Sequence, residues 1–115
     1  MGGPFGIRRP LRFLAHKLEL DEEQIASLAE ILDDLKTERA QREVDERRTQ
    51  KLYAEALIAE PFDAARAKQA AAEREASARK VEEAVVDALS RLHAVLDADQ
   101  RKQLVVMIRT GMLSL

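Results

Sequence analysis

The stretch "LELDEEQ" occupies residues 18–24, and "VLDADQRKQL" occupies residues 95–104. Both contain the pattern Leu-Asp-x-x-Gln, once near each end of a chain of 115 residues. An N-cap side chain with Gln three residues later has the spacing of a helix capping box, in which each side chain bonds to the backbone N–H of the other residue. We therefore predict that a helix begins at each copy. The motif residues are Leu20, Asp21 and Gln24, and Leu96, Asp97 and Gln100.

The segment between the two copies predicts two long helices. No Pro or Gly interrupts the chain from Glu22 to about Ala59. The sequence "EPFD" at 60–63 then breaks the helix, because a residue that precedes Pro disfavours the α conformation. The next helix is predicted from Ala64 to about Val95. A short loop between two long helices indicates an antiparallel hairpin, which brings both motif copies to the same end.

Apolar residues recur along both long helices at helical spacing. Apolar residues are sparse in the charged stretch 36–51. We interpret this stretch as a solvated helix face or, alternatively, as a contact with a partner. The predicted apolar positions of the first long helix are Ile25, Leu28, Leu32, Leu35, Leu52, Tyr53, Ala56, Leu57 and Ile58. Those of the second, with one Arg in the series, are Ala67, Ala71, Arg74, Ala78, Val81, Val85, Ala88, Leu92 and Val95.

A short helix is predicted on each side of the hairpin. The first begins at Pro10, which suits the first turn of a helix. The last runs from about Ala98 to Thr110, with Gly111 as its C-terminal cap. The predicted fold is all-α, a long antiparallel helical hairpin flanked by two short helices. We assign residues 1–9 to a flexible N-terminal arm and residues 10–115 to a single helical-hairpin domain.

The Ala-rich stretches predict a homodimer. A lone hairpin with small side chains buries little apolar surface, and small chains need more buried surface to be stable. We expect a second subunit to cover the stretch from Ala40 to Leu57 and its Ala-rich partner, which would form an elongated bundle or cradle.

The composition excludes several kinds of site. Without cysteine there is no disulfide, thiolate ligand or Cys nucleophile. The net charge of −2 argues against a nucleic acid as partner, because nucleic acids favour a basic domain. No run of about 18 apolar residues indicates a transmembrane segment. Because the sequence has no Ser-His-Asp combination, phosphate loop or H-E-x-x-H motif, we expect neither an enzyme nor a cofactor.

The two short helices predict a surface that binds proteins. The C-terminal run "LVVMIRTGMLSL", residues 104–115, is apolar on every side, which is more than a short helix can bury against one hairpin. Continuous apolar surface marks an interface, and nearby basic residues would attract acidic or partly unfolded chains. The candidate client-binding residues are Phe13, Leu14, Met107, Ile108, Met112 and Leu113, with the basic residues Arg8, Arg9, Arg12 and Arg109.

A metal site near the two bends is the alternative. Histidine nitrogens and carboxylate oxygens bind divalent transition metals, and the hairpin brings both bends to one end. Two histidines without close ligand spacing favour the simpler interpretation of helix-face histidines and capping acids. We therefore assign no metal, and the candidates for such a site are His16, His93, Asp97 and Asp99.

The order of these features resembles the Spy/CpxP proteins, a family of periplasmic helical proteins of bacteria named for two LTxxQ motifs. The resemblance extends over about residues 11–110: a Leu-x-x-x-Gln at the start of a long helix, a charged segment, the "EPFD" turn, an Ala-rich return helix and a second Leu-x-x-x-Gln. Asp stands in both copies where the family motif has Thr, and both residue types cap helices. The matching positions are Leu20, Asp21, Gln24, Leu96, Asp97 and Gln100.

The resemblance implies a bent four-helix hairpin that dimerises antiparallel into a thin cradle. Some members bind unfolded clients without ATP, and others bind zinc, nickel or cobalt through His and acidic ligands. We therefore expect an ATP-independent chaperone-like or stress-adaptor protein that binds unfolded or partner proteins. A metal-responsive sensor or buffer for zinc, nickel, cobalt or copper is the alternative. The resemblance implies a periplasmic location, and a cytoplasmic one is the alternative because "MGGPFGIRRP" shows no apolar leader region.

Overall fold

The structure is a computed structural model that describes residues 8–114, except for the side chain of Arg8. These residues form no strand and four helices: α1 (Arg8–Lys17), α2 (Glu22–Ile58), α3 (Ala64–Val95) and α4 (Ala98–Arg109). The two long helices pack as a hairpin. The predicted all-α class, a hairpin flanked by two short helices, is therefore confirmed. Residues 1–7 of the predicted arm lie outside the described residues.

The helix boundaries follow the signals in the sequence closely. Helices α2, α3 and α4 begin where they were predicted, and Gly111 after α4 has the left-handed conformation expected of a C-terminal cap, with a φ of 78°. Helix α1 differs, because it begins at Arg8 and Pro10 lies inside its first turn. Proline is tolerated there because the first N–H groups of a helix have no partner within it. Within residues 8–114, none of the helices combines the length and apolar character needed to span a membrane.

The bend before α2 is fixed by the way in which α1 ends. The N–H of Leu20 donates to the carbonyl of Ala15 at 3.0 Å, and the N–H of Glu19 donates to that of His16 at 3.3 Å. This pair of bonds is the Schellman arrangement, which requires a left-handed residue after the helix. Glu19 supplies it with a φ of 52°. The chain therefore reverses directly into the first motif.

The helices contribute to two compact packing units, a motif unit and a turn unit. Within the described residues, the motif unit contains residues 8–36 and 85–114, and the turn unit is Thr37–Ala84. The motif unit holds the large apolar core, which includes leucines from α1 and α2 and residues from the second motif and α4. The buried members are Leu14, Leu18, Leu28, Leu96, Leu104 and Met107.

The turn unit has an interior of small and polar side chains. Its buried residues are Thr49, Ala56, Ala70, Ser77 and Val81. The prediction that Leu57 and Ile58 belong to the apolar side of α2 that packs inward is therefore wrong, because their side chains are 77% and 83% exposed. Since a helix has about 3.6 residues per turn, burial of Ala56 directs the next two side chains away from the interior. Likewise Ala70 is buried and Ala71 is exposed, one residue from the predicted position.

Hydrogen bonds between α2 and α3 hold the interior of the turn unit. Arg74 Nε donates to Thr49 Oγ1 at 2.7 Å, and its guanidinium lies 5.2 Å from the centre of the Tyr53 ring. Ser77 Oγ donates to Asp45 Oδ2 at 2.8 Å. The charged stretch 36–51 is therefore not only a solvated face, because its inner side bonds to α3 of the same chain.

The bond from Ser77 generates a prediction about acid stability. The Ser77 hydroxyl, followed by Gln41, lowers the pKa of the Asp45 carboxyl. A lowered pKa means that the ionised carboxylate stabilises the folded chain above the ordinary carboxyl pKa, and that this contribution is lost as the pH falls through the lowered value. Ser77→Ala should raise the pKa of Asp45 towards its ordinary value, which NMR titration of the carboxyl carbon would measure. Ser90→Ala, an exposed serine of the same helix, is the control; an unchanged titration of Asp45 in Ser77→Ala would contradict the prediction.

Candidate functional site

Both motif copies form the predicted capping boxes. In the first, Asp21 Oδ1 accepts from the Gln24 N–H at 2.8 Å, and Gln24 Oε1 accepts from the Asp21 N–H at 3.0 Å. In the second, the corresponding distances between Asp97 and Gln100 are 2.8 and 2.9 Å. These bonds satisfy N–H groups that a helix start would otherwise leave without partners. The motif thus defines the first residue of α2 and of α4.

The two motif copies also bind each other through their glutamine side chains. Gln24 Nε2 donates to Gln100 Oε1 at 2.8 Å, and Gln100 Nε2 donates to Gln24 Oε1 at 3.2 Å. The same two nitrogens reach backbone carbonyls across the pair: Gln24 donates to Val95 O at 3.0 Å, and Gln100 donates to Leu18 O at 3.1 Å. We call this set of bonds the glutamine clasp.

Each glutamine in the clasp performs two tasks that need different atoms. The amide oxygen accepts from the N–H of the capping Asp in its own motif. The amide nitrogen donates to the glutamine of the other motif and to a backbone carbonyl just before that other motif. The leucines of the motif support the clasp from the core, since Leu96 is buried and Leu20 packs against the same cluster. The sequence predicts that the two bends lie at one end, but it does not predict the contact between the glutamines.

Arg101 closes the end of α3 and has a role that the sequence did not suggest. At the first motif Leu20 and Ile25 have the spacing of a hydrophobic staple, but at the second motif Arg101 stands at the position that corresponds to Ile25. Its Nη1 instead donates to the carbonyls of His93 at 2.8 Å and Leu96 at 2.7 Å. Carbonyls at a helix C-terminus lack partners within the helix, so this side chain satisfies them and ties α4 to α3.

Exposed residues of α1, of α4 and of the segment after α4 are a second set of candidates. In α1 and α4 the basic side chains outnumber the acidic ones, and α1 has no acidic residue. Within residues 8–114, their exposed arginines and lysines form no salt bridge. Large apolar side chains are exposed among them. We call this set the cationic–apolar face; its members are Arg9, Arg12, Phe13, Lys102, Val105, Val106, Arg109 and Met112.

The structure distributes the predicted client-binding residues between surface and core. Leu14 and Met107 are buried in the core cluster, which corrects the prediction that they belong to an exposed surface. Ile108 and Leu113 are half-buried and pack against the same cluster. The remaining predicted residues whose side chains are described are exposed, and the side chain of Arg8 lies outside the described part. The exposed ones are Arg9, Arg12, Phe13, Arg109 and Met112.

The candidate metal ligands all lie at the surface of the motif unit. His16 is exposed near the end of α1, and His93 is exposed near the end of α3. Asp97 is used as a helix cap, and Asp99 lies in the first turn of α4. Among residues 8–114, no three His, Cys, Asp or Glu side chains are grouped closely enough to hold a metal ion.

The glutamine clasp generates a prediction that separates it from the capping boxes. Gln100→Glu keeps an oxygen for the capping box but removes the N–H donors to Leu18 O and Gln24 Oε1. A buried group left without its partner costs about 1–3 kcal/mol, so the variant should lose stability of that order in urea denaturation at neutral pH. Gln103→Glu, at an exposed position of the same helix, should remain within about 0.5 kcal/mol of the wild type. Equal stability of the two variants would mean that the clasp contributes nothing.

Comparison with known proteins identifies a family to which the chain is similar. The family model described as "Heavy-metal resistance" matches residues 1–103, a span that contains both motif copies and the hairpin. No curated protein and no solved structure matches the chain. The family contains the Spy/CpxP-like LTxxQ proteins, so the resemblance drawn from the two motifs is confirmed, and its members are typically extracytoplasmic. With four helices in the order expected, two motif copies joined through their glutamines and a match over most of its length, this chain belongs to the heavy-metal-resistance family.

Proposed function

We propose that this chain binds unfolded or partner proteins, without ATP, through its cationic–apolar face, as a chaperone-like or stress-adaptor protein of the periplasm. The observation that carries the proposal is the exposure of Val105, Val106 and Met112 beside unpaired basic side chains. A periplasmic location is supported by the family, whose members are typically extracytoplasmic. The proposal includes no catalytic step and no nucleotide.

Helix α4 uses opposite sides for the core and for the proposed surface. Its buried residues are Gln100, Leu104 and Met107, which recur on one side at helical spacing. Residues 102, 105, 106 and 109 fall on the other side, and all four are exposed. The two valines therefore add nothing to the core of the motif unit. Contact with another chain would remove their apolar surface from water, which is favourable.

The basic side chains of the face would act over a longer range than the apolar ones. An unpaired guanidinium or ammonium group attracts acidic segments before contact, which raises the rate of association. Apolar contact then slows dissociation without requiring a particular sequence. This combination suits clients that share exposed apolar residues but differ in sequence. Because exposed charges are screened over about 10 Å at 0.1 M salt, the charge contribution should weaken at higher ionic strength.

Suppression of aggregation tests the proposal. The wild-type chain should reduce light scattering by a chemically denatured client without ATP. Val106→Asp combined with Met112→Asp should lose most of this protection, because both side chains are exposed on the face. Val86→Asp is the matched control: Val86 is 66% exposed and Val106 is 58% exposed, but Val86 lies on α3 outside the face.

Two results would contradict this function. One is the absence of protection by the wild type at several-fold excess over the client. The other is equal protection by the double variant and by Val86→Asp, when circular dichroism shows that both keep the wild-type helix content. Raising the ionic strength from about 0.05 M to about 0.5 M should reduce protection by the wild type.

A second function, as a metal-responsive sensor or buffer, is favoured by the description of the family as heavy-metal resistance. His16 and His93 are the nitrogen ligands that this chain offers, and both are exposed in the motif unit. A site built on them would need further ligands from the metal's own water or from a second chain, since zinc usually takes four.

Metal titration distinguishes the second function from the first. If the chain is a metal sensor or buffer, zinc, nickel, cobalt or copper ions at micromolar concentration should raise its melting temperature, because a ligand that binds only the folded state stabilises it. His16→Gln with His93→Gln should abolish the shift. The absence of any shift with the four ions, or a shift that persists in the double variant, would exclude this site.

A further inference from the structure

Helix α1 presents basic residues on one side. Residues 8–17 contain three Arg, one Lys and one His, and no acidic residue. The exposed positions recur at helical spacing, so they share one side of the helix. The opposite side packs into the core, where Leu14 and Leu18 are buried. We call the exposed set the basic side of α1; its members are Arg9, Arg12, Phe13, His16 and Lys17.

The cations of this side have no charged partner in the chain itself. Within residues 8–114, no salt bridge is formed by Arg9, Arg12 or Lys17. The first acidic residue after the helix is Glu19, ten positions beyond Arg9. Ten residues span about 15 Å along a helix axis, which exceeds the screening length of about 8 Å at physiological salt. Both arginines are therefore available to an anionic partner.

An aromatic side chain stands among these cations. Phe13 is 37% exposed and follows Arg12 directly. Some aromatic side chains, Trp and Tyr above all, are enriched at the interface between lipid and water. Each Lys or Arg beside a negatively charged bilayer raises the affinity roughly fivefold. The basic side of α1 thus combines charge with an apolar ring, the two contributions by which amphipathic helices bind to membrane surfaces.

An anionic bilayer fits this surface better than an acidic protein segment does. A bilayer offers anionic headgroups continuously, so Arg9, Arg12 and Lys17 can be attracted at the same time. Because the exposed side of a single helix is convex, it rests on a flat surface more readily than it encloses a peptide. Leu14 and Leu18 remain in the core, so α1 docks as a folded helix. The binding is then shallow, reversible and dependent on salt.

We propose that the basic side of α1 docks the chain on an anionic membrane surface. Arg9, Arg12 and Lys17 attract the anionic headgroups, and the ring of Phe13 enters the interface beneath them. The inference goes beyond the proposed function and does not depend on it, because no client takes part in this contact. It gives a position at the membrane surface to a chain in which no helix within residues 8–114 can span a membrane.

Cosedimentation with vesicles tests the docking. At low salt the wild type should bind vesicles of phosphatidylcholine and phosphatidylglycerol in a ratio of about 2:1, and should bind pure phosphatidylcholine at least about tenfold more weakly. Arg9→Gln with Arg12→Gln should bind the anionic vesicles about 30-fold more weakly, at roughly fivefold for each charge. Arg39→Gln with Arg47→Gln is the matched control, because both arginines are exposed on α2 and the change in net charge is the same.

Several results of this experiment would overturn the docking. One is the absence of binding to the anionic vesicles, and another is equal binding to both kinds of vesicle. A third is equal loss of affinity in the two double variants, when circular dichroism shows that both keep the wild-type helix content. Binding of polyglutamate without binding of vesicles would assign the arginines to an acidic protein instead. The affinity of the wild type should also fall as the ionic strength rises from about 0.05 M to about 0.5 M.

Fluorescence tests the orientation of the docked helix. The chain has no tryptophan, so Phe13→Trp introduces a single reporter. Its emission should shift to shorter wavelength when anionic vesicles are added, because the indole leaves water for the interface. Val86→Trp is the control, since Val86 is exposed on α3 outside the basic side, and its emission should not change. The same response in both variants, whether a shift or none, would overturn the orientation.

The vesicle and aggregation assays can fail independently of each other. Protection of a client by a wild type that does not bind anionic vesicles would overturn the docking and leave the proposed function standing. Binding of vesicles by a wild type that protects no client would contradict the proposed function and leave the docking standing. The variants also differ, because the aggregation assay changes Val106 and Met112 and the vesicle assay changes Arg9 and Arg12.

Discussion

The hydrogen bonds between the side-chain amides of Gln24 and Gln100 are the constraint on which the motif unit depends. They join the start of α2 to the start of α4, and their bonds to Leu18 O and Val95 O add the ends of α1 and α3. Polar groups removed from water are costly unless they find partners, and within residues 8–114 no buried side-chain nitrogen or oxygen lacks one. A single pair of side chains thus positions four helix ends, and the apolar core forms around it.

The hairpin and the two helix starts could be predicted from the sequence because they depend on local spacing. Asp21 and Asp97 lie three residues before a Gln, and one Pro-containing turn separates two uninterrupted helices. The contact between the glutamines could not be predicted, because a capping box is complete without it. Periodicity likewise could not decide which side of α4 is buried, since apolar residues occur on all its sides. The folded chain decides this, because Met107 joins the leucine core cluster and Val106 is left exposed.

The turn unit shows how tertiary contact overrides hydrophobic pattern. The sequence placed Leu57 and Ile58 in an apolar stripe, but the interior takes Ala56, Thr49 and Ser77 instead. Small side chains allow close packing of helices, and polar ones require defined partners, so this interior specifies how α2 and α3 align through bonds such as Arg74 to Thr49. The large apolar residues that do not fit are left on the surface, where they are available to other chains. The same separation of core from surface occurs on α4, so both units leave large apolar side chains exposed.

The sequence separation of these contacts has a consequence for how the chain acquires its structure. Bonds that hold the turn unit join residues 11 to 32 positions apart, whereas the glutamine clasp joins residues 71 to 82 positions apart. Closing a longer loop costs more entropy and slows folding. The hairpin turn can therefore form while a nascent chain is still growing. The leucine core must wait until α4 has been made, and until then Leu14, Leu18 and Leu28 are exposed in the growing chain, where other factors that recognise apolar segments can bind them.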